Sequence, residues 1–270
     1  MTAVPFFQRG RPRVFAHRGG SALAPENTLA AFELGLRAGA DGVELDVHLS
    51  ADGVPVVVHD PTLDRTTDAS GPVAARTAAE LARVDAGWHF PGGRGDFPFR
   101  RQGLGIPTLR DVLLRHRGVP IIIEMKIDSE EMGRRVADDI RAAGAEASVC
   151  AAGYGRSSAD AVRRALPEAA TSACHAEVRL AVYRSWAGWP VTRPPFGGYQ
   201  VPEHAGRIRI VSPRFIRHTH AAGLEVQVWT VDDEADMRRL LGWGADALIS
   251  NRPDLAVTVR DAFVGALALV

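Results

Sequence analysis

Short apolar runs alternate with amphipathic segments along almost the whole chain, the rhythm of βα repeats around a parallel sheet. Eight runs read as strands, at residues 14–16, 42–49, 119–124, 147–151, 171–174, 208–212, 225–229 and 246–250. The sixth has an alternative at residues 199–201. A further run, residues 54–58, follows the second strand across only Ser50-Ala51-Asp52-Gly53. That gap is too short for a parallel crossover, so the run reads as the return arm of a hairpin. Eight parallel strands with helices between them and one hairpin excursion predict a (β/α)8 TIM barrel.

Helical periodicity fills the gaps. Residues 28–38 put Leu29, Phe32 and Leu36 on one face, with Asn27 placed to cap the start and Gly39 to end it. Residues 108–116, 131–143, 159–165 and 233–241 show the same spacing, and Gly242 or Gly244 stops the last. Two stretches break the rhythm, residues 87–105 and 186–202. The first reads as a loop insertion, and long loops in compact domains often carry function.

Composition bounds these expectations. A chain of 270 residues with 46% hydrophobic residues suits one barrel domain spanning 1–270, with no low-complexity linker and no composition break. Lys plus Arg equals Asp plus Glu, at 32 each, so no global field argues for nucleic acid. An anionic ligand must be held by a local site. Cys150 and Cys174 lie in apolar contexts and read as two buried thiols, not a disulfide framework. No apolar run reaches membrane-helix length and no signal-peptide core is visible, so the cytoplasm is the expected location. The oligomeric state is left open.

Barrel active sites sit at the C-terminal ends of the strands, so the polar residues there are informative. The first strand ends in His17-Arg18, the second carries Glu44 and Asp46, the hairpin returns at His59-Asp60, and the third ends at Glu124 with Lys126 two residues on. Residues i and i+2 of a strand face the same way, so Glu44 and Asp46 share a face that Glu124 can join. Three converging carboxylates repel unless a cation sits among them. Hard oxygen ligands suit one divalent ion, Mg²⁺ or Ca²⁺, better than zinc. Arg18 offers a planar fork for a phosphoryl group and Lys126 a second positive charge. His17 and His59 would supply an acid and a base near neutral pH. Phosphodiester cleavage needs these parts. Each motif alone has a bland reading, a turn or an exposed strand face, but an unpaired acidic face turned into a barrel would be costly.

The stretch AHRGGSALAPENTLAAFELGLRAGADGVELDVHLSADGVPVVVHDPTLDRTT resembles the glycerophosphodiester phosphodiesterase family. The resemblance resumes at IPTLRDVL and IIIEMK and again in AAGLEVQVWTVDDEADMRRLLGWGADALISNRPDL. It implies a TIM barrel that hydrolyses glycerophosphodiesters to glycerol 3-phosphate and an alcohol with a divalent metal. It implies His17 and His59 as the acid/base pair, Glu44, Asp46 and Glu124 as metal ligands, and Arg18 and Lys126 as phosphate contacts. Glu26 and Asn27 would lie beside the site, and Trp229 would wall the glycerol. Two blocks depart from the family pattern. The fourth strand is followed by AAGYGRSS in place of a Ser-Phe-Asp-like block, where Tyr154 could supply the aromatic, and Asn251 stands where an Asp is usual.

Two other readings compete. A lysophospholipase D acting on long-chain diesters would use Trp88, Phe90, Phe97, Phe99, Trp186, Trp189 and Phe196 of the two irregular stretches to meet an acyl chain, with peripheral lipid contact. A non-catalytic barrel that binds a phosphorylated ligand would be expected to lack a histidine or a metal carboxylate, and all are present here.

Overall fold

The structure is a computed structural model that describes residues 6–7, 10–93, 95–191 and 194–268. In chain order its elements are β1 (Arg13–Ala16), α1 (Leu29–Arg37), β2 (Gly42–Leu49), β3 (Pro55–Val57), α2 (Ala78–Leu81), α3 (Leu109–Arg115), β4 (Ile121–Met125), α4 (Glu130–Ala143), β5 (Val149–Gly153), α5 (Arg156–Ala165) and β6 (Ala170–Thr171). There follow α6 (His175–Ala187), β7 (Gly198–Pro202), β8 (His204–Ala205), β9 (Ile208–Arg209), α7 (Pro213–Ala221), β10 (Glu225–Trp229), α8 (Glu234–Trp243), β11 (Ala247–Ser250) and α9 (Pro253–Leu267). Parallel pairing runs β6-β5-β4-β2-β1-β11-β10-β7, and a parallel bridge between Ser172 and Gly198 joins the two ends. The result is the expected eight-stranded (β/α)8 barrel. β3 pairs antiparallel with β2, Val47 opposite Val57, which is the expected hairpin return.

Alternation along β2 explains where the core and the site lie. Every residue from Gly42 to His48 is buried. Val43, Leu45 and Val47 join the apolar cluster that also holds Val112, Leu113, Met132 and Val136 of the helices. Glu44, Asp46 and His48 must therefore face the barrel interior. The lower interior is sealed by Phe6, Phe15, Ile122, Cys150 and Ile249. Arg13, Glu225, Gln227 and Gln200 form a polar chain through it, with links of 2.8, 3.1 and 3.0 Å. A separate apolar cluster of Val56, Val58, Leu63, Leu81 and Ile106 anchors the hairpin excursion. Both cysteines are buried free thiols. Among the described residues no helix is long and apolar enough to cross a membrane.

Several local expectations are corrected. Residues 208–212 do not form the sixth barrel strand. Ile208–Arg209 pairs antiparallel with His204–Ala205 across a turn at Gly206, whose φ is +59°. The barrel position belongs to β7, whose Tyr199 and Val201 are buried and whose five residues register with β10. The irregular stretch 186–202 thus contains the end of α6 and this strand. The strand expected at 171–174 is shorter, because Cys174 already stands at the N-terminus of α6. Thr28, not Asn27, caps α1, accepting from Ala31 N at 3.2 Å. Asn27 has a left-handed φ of 58° and turns inward instead.

Candidate active site

Sheet register brings the polar residues together in layers. Ala16 pairs with Val43 and with Ser250, so the next residues, His17, Glu44 and Asn251, emerge at one level. Asp46 pairs with Glu124 on the neighbouring strand, one layer further along. The amide of Val58 donates to Asp46 O at 3.0 Å, which brings His59 back beside β2.

The His17-Arg18-Gly19-Gly20 turn is held by its own backbone. Arg18 adopts φ 51°, Gly19 87° and Gly20 98°. Arg18 N donates to Glu44 Oε2 at 3.0 Å, and Arg18 O accepts from Asn27 N at 2.9 Å. A Cβ on Gly19 would stand 2.7 Å from Ala31 Cβ, so only glycine lets α1 approach this closely. Asn27 also donates to Asp46 Oδ2 at 2.9 Å, so the sequence PENT supplies a support for a buried carboxylate as well as a turn.

The two histidines have different partners. Asn251 Nδ2 donates to Asp232 at 2.7 Å, which turns Asn251 Oδ1 toward His17 Nδ1 at 2.6 Å. An amide oxygen only accepts, so His17 carries its proton on Nδ1 and leaves Nε2 bare. That Nε2 lies 3.8 Å from Glu44 Oε2. Burial lowers the His17 pKa, more than the Asn251 bond raises it. An Asp at position 251 would set two carboxylates about 2.7 Å apart here, because Asp232 occupies the opposite side. His59 Nδ1 instead faces the Asp60 carboxylate at 2.6 Å. Arg65 binds Asp60 through Nε at 2.6 Å and Glu26 through both terminal nitrogens at 2.8 Å. Glu26 in turn accepts from Arg18 at 2.9 Å. A chain of charge-assisted bonds thus links His59 to Arg18. Arg65 and Asp232 carried no role in the sequence reading. An Arg five residues after the His59-Asp60 pair was the available signal for Arg65.

Glu44, Asp46 and Glu124 each turn one oxygen to a common point, all within 4.8 Å of one another. Oxygens that share an ion at about 2.3–2.6 Å can span about that distance. The donor set is hard oxygen, so the residues present fit a divalent cation of the Mg²⁺ or Ca²⁺ kind. Burial raises the Glu44 pKa well above the usual carboxylate range, and the charges of Asp46 and Glu124 add to it. Burial also opposes charge on Asp46, but Lys126 and Arg18 outweigh it and lower its pKa. Lys126 Nζ lies 2.9 Å from Asp46 and 3.1 Å from Glu124. Burial disfavours its charge, yet those two carboxylates raise its pKa.

These groups open on one cavity of about 460 Å³. His17, Arg18, Glu44, His59, Glu124 and Lys126 line one end of it, and Trp229 lines its wall. Asp46 is fully buried beneath.

The chain matches the glycerophosphoryl diester phosphodiesterase family over residues 17–255. It belongs to that family. As such it is a phosphoric diester hydrolase. It is 30% identical over 260 residues to a glycerophosphodiester phosphodiesterase of Caldanaerobacter subterraneus, covering 91% of this chain and 96% of that one. A crystal structure of a glycerophosphodiester phosphodiesterase from Agrobacterium tumefaciens superposes with TM-score 0.72 at 31% identity, covering 91% of this chain and 99% of the other. An Oleispira antarctica phosphodiesterase, solved with the product sn-glycerol-3-phosphate, superposes with TM-score 0.73 at 26% identity, covering 93% and 97%.

The aromatic residues of the irregular stretches fare differently from the long-chain reading. Of the seven, Trp186 alone lines the cavity. Phe90 and Phe99 pack edge-to-face at 5.2 Å, and the Arg100 guanidinium covers Trp88 and Phe97 at 4.6 and 3.5 Å. Phe196 meets buried Tyr199 at 5.3 Å. No described residue of 87–105 lines the cavity. Tyr154 does line it, stacked on His175 at 4.6 Å.

Proposed function

We propose that this member of the family hydrolyses glycerophosphodiesters to sn-glycerol 3-phosphate and an alcohol, with His17 as general base and His59 as general acid. The observation that carries the reading is the pair of opposed histidine environments on one carboxylate-lined cavity. His17 has its Nδ1 proton committed to Asn251 Oδ1, so its bare Nε2 is the proton acceptor. His59 faces the Asp60 carboxylate through Nδ1, which fixes the ring and leaves Nε2 toward the cavity as the proton donor.

Arg18 and Lys126 bind the phosphoryl oxygens, Arg18 held in aim by Glu26. Glu44, Asp46 and Glu124 hold one divalent ion, Mg²⁺ or Ca²⁺, which when bound polarises the phosphoryl group and neutralises charge developing on it. His17 Nε2 takes the proton of the attacking hydroxyl, whether of water or of the substrate's own glycerol. His59 protonates the departing alcohol oxygen. Trp229, 39% exposed at the cavity wall, gives the glycerol an apolar face. The Oleispira structure, with glycerol 3-phosphate bound, supports the product assigned.

The test is release of glycerol 3-phosphate from several glycerophosphodiesters in Mg²⁺, Ca²⁺ or EDTA. Release is expected with metal and not with EDTA. His17→Ala and His59→Ala should each lower kcat by about 10²–10⁴-fold. Near-normal turnover in either variant, or full activity in EDTA, would contradict the scheme.

A further inference from the structure

Either end of the Asn251 amide could face His17, and the two ends have opposite consequences. The oxygen holds a proton on Nδ1 and leaves Nε2 bare. The nitrogen would take Nδ1 as its acceptor and move the ring proton to Nε2, so the base could no longer accept one. An amide has no preference of its own. The preference comes from the residue behind it.

That residue is Asp232. The loop after β10 is pinned to β11, where Val231 N donates to Ile249 O at 3.1 Å. Both Asp232 oxygens are engaged at the end of β11. Oδ1 accepts from the Asn251 backbone amide at 2.8 Å and from Ser250 Oγ at 2.9 Å. Oδ2 accepts from Asn251 Nδ2 at 2.7 Å. A carboxylate only accepts, so the polarity of the whole chain is set from this end. Asn251 Oδ1 is left to accept from His17 Nδ1 at 2.6 Å and from Ser21 Oγ at 2.5 Å. The Asn251 carbonyl accepts from Ala22 N at 3.2 Å, so the backbone is held on both sides and only the side-chain amide can turn. Neither Asp232 nor Asn251 lines the cavity, so both act through His17 and not on the substrate.

We infer that Asp232 is a positioning residue for the reaction: by fixing the Asn251 amide it selects the His17 tautomer whose Nε2 takes the proton. This rests on the assignment of His17 as base and deepens it. The inference has a sharp consequence. Asp232→Asn keeps the shape and turns one acceptor into a donor. The Asn251 backbone amide cannot reverse, so the carbonyl oxygen of the substituted side chain must take the Oδ1 place. Its NH2 then meets Asn251 Nδ2, donor against donor. The Asn251 amide turns over, its Nδ2 meets His17 Nδ1, and the ring proton moves to Nε2. Exchanging the two residues, Asp232→Asn with Asn251→Asp, restores the polarity. The amide at 232 then donates to the carboxylate at 251, which accepts from His17 Nδ1.

The experiment measures kcat and KM for glycerophosphocholine, with Mg²⁺ and with Ca²⁺, in the parent, Asp232→Asn and the double exchange. Asp232→Asn should lower kcat by about 10²-fold or more at nearly unchanged KM, since the base is lost while the phosphate contacts stay. The double exchange should regain about tenfold or more of that loss. Ring ¹⁵N spectra of neutral His17, assigned by their absence from His17→Gln, need no substrate. They should place the proton on Nδ1 in the parent and the double exchange, and on Nε2 in Asp232→Asn. Near-parental kcat in Asp232→Asn, a double exchange no better than Asp232→Asn, or an unmoved tautomer would each overturn the inference. An inactive His17→Ala beside any of these would leave the base assignment standing. A parent ring protonated on Nε2 would overturn that assignment too. No turnover by the parent would overturn the phosphodiesterase reading itself.

Discussion

His59 Nδ1 lies 2.6 Å from Oδ1 of Asp60, its immediate neighbour in sequence. The pair is held from behind by Arg65, whose Nε binds the other Asp60 oxygen at 2.6 Å. Asp60 touches no substrate in this scheme. It positions the imidazole. Asp60→Asn should therefore lower kcat by about 10–100-fold with little change in KM, because the proton donor loses its anchor while phosphate binding stays. A p-nitrophenyl leaving group needs little protonation, so glycerophospho-p-nitrophenol should recover most of the loss. An equal loss with both substrates would show that Asp60 does not act through the acid.

The same network makes a prediction about acid stability. The Arg65 hydrogen bond lowers the Asp60 pKa from 3.8 to about 2, and Arg65 also lowers Glu26 against the opposing effect of its burial. A carboxylate depressed in the folded state contributes stability that is present above its unfolded pKa and is lost as pH falls through the folded one. The Arg65→Gln variant should thus melt below the parent protein at about pH 6, with the gap closing between about pH 4 and pH 2. Calorimetric Tm values across that range test it, and a gap that persists unchanged at about pH 2 would contradict the assignment.

Much of this architecture was legible before the fold. Period-two alternation in GVELDVHL placed Glu44 and Asp46 on one face, and the structure turns both into the barrel. The four-residue gap before Val54 identified the hairpin, which the antiparallel register of Val47 with Val57 confirms. What failed depended on tertiary context. α6 was missed because it buries Val178, Ala181, Val182 and Ser185 on one side and exposes Leu180 and Tyr183 beside them, so no single apolar stripe stands out. Residues 208–212 looked like a barrel strand from composition, but β7 already filled the place beside β10, and Ile208–Arg209 pairs with His204–Ala205 instead. The long-range support of His17 was equally invisible. Asp232 lies between β10 and α8, and its bond to Asn251 arises only when β10 and β11 pair.

Close approach of α1 to the turn at His17–Gly20 yields a third prediction. A Cβ on Gly35 would stand 2.6 Å from Ala16 Cβ and 2.6 Å from Gly19 O. Alanine gains about 1 kcal/mol of helix propensity over glycine. Overpacking against a rigid turn costs about 1–3 kcal/mol, so the net effect is destabilising. Gly35→Ala should lower Tm by several degrees, and kcat/KM should fall with it because the displaced turn carries His17 and Arg18. An unchanged Tm would show that α1 can shift without disturbing the turn.

Charge counting at the carboxylate cluster gives the last prediction. Glu44, Asp46 and Glu124 face Arg18 and Lys126 at close range, and Arg18 is shared with Glu26. The cluster therefore keeps excess negative charge, in a place where Glu44 is buried and its charged form is disfavoured. A divalent ion that binds the folded protein alone should stabilise it, by about 2.7 kcal/mol at a hundredfold excess over Kd. For a chain of this size that corresponds to a Tm rise of roughly 5–10 °C. EDTA-treated protein should show the rise on addition of Ca²⁺ or Mg²⁺. Asp46→Asn should abolish most of it, since the variant removes a ligand charge while Lys126 still pairs with Glu124. Thermal unfolding reads this without any substrate, so it separates metal binding from catalysis. A rise of the same size in Asp46→Asn would place the ion elsewhere on the protein.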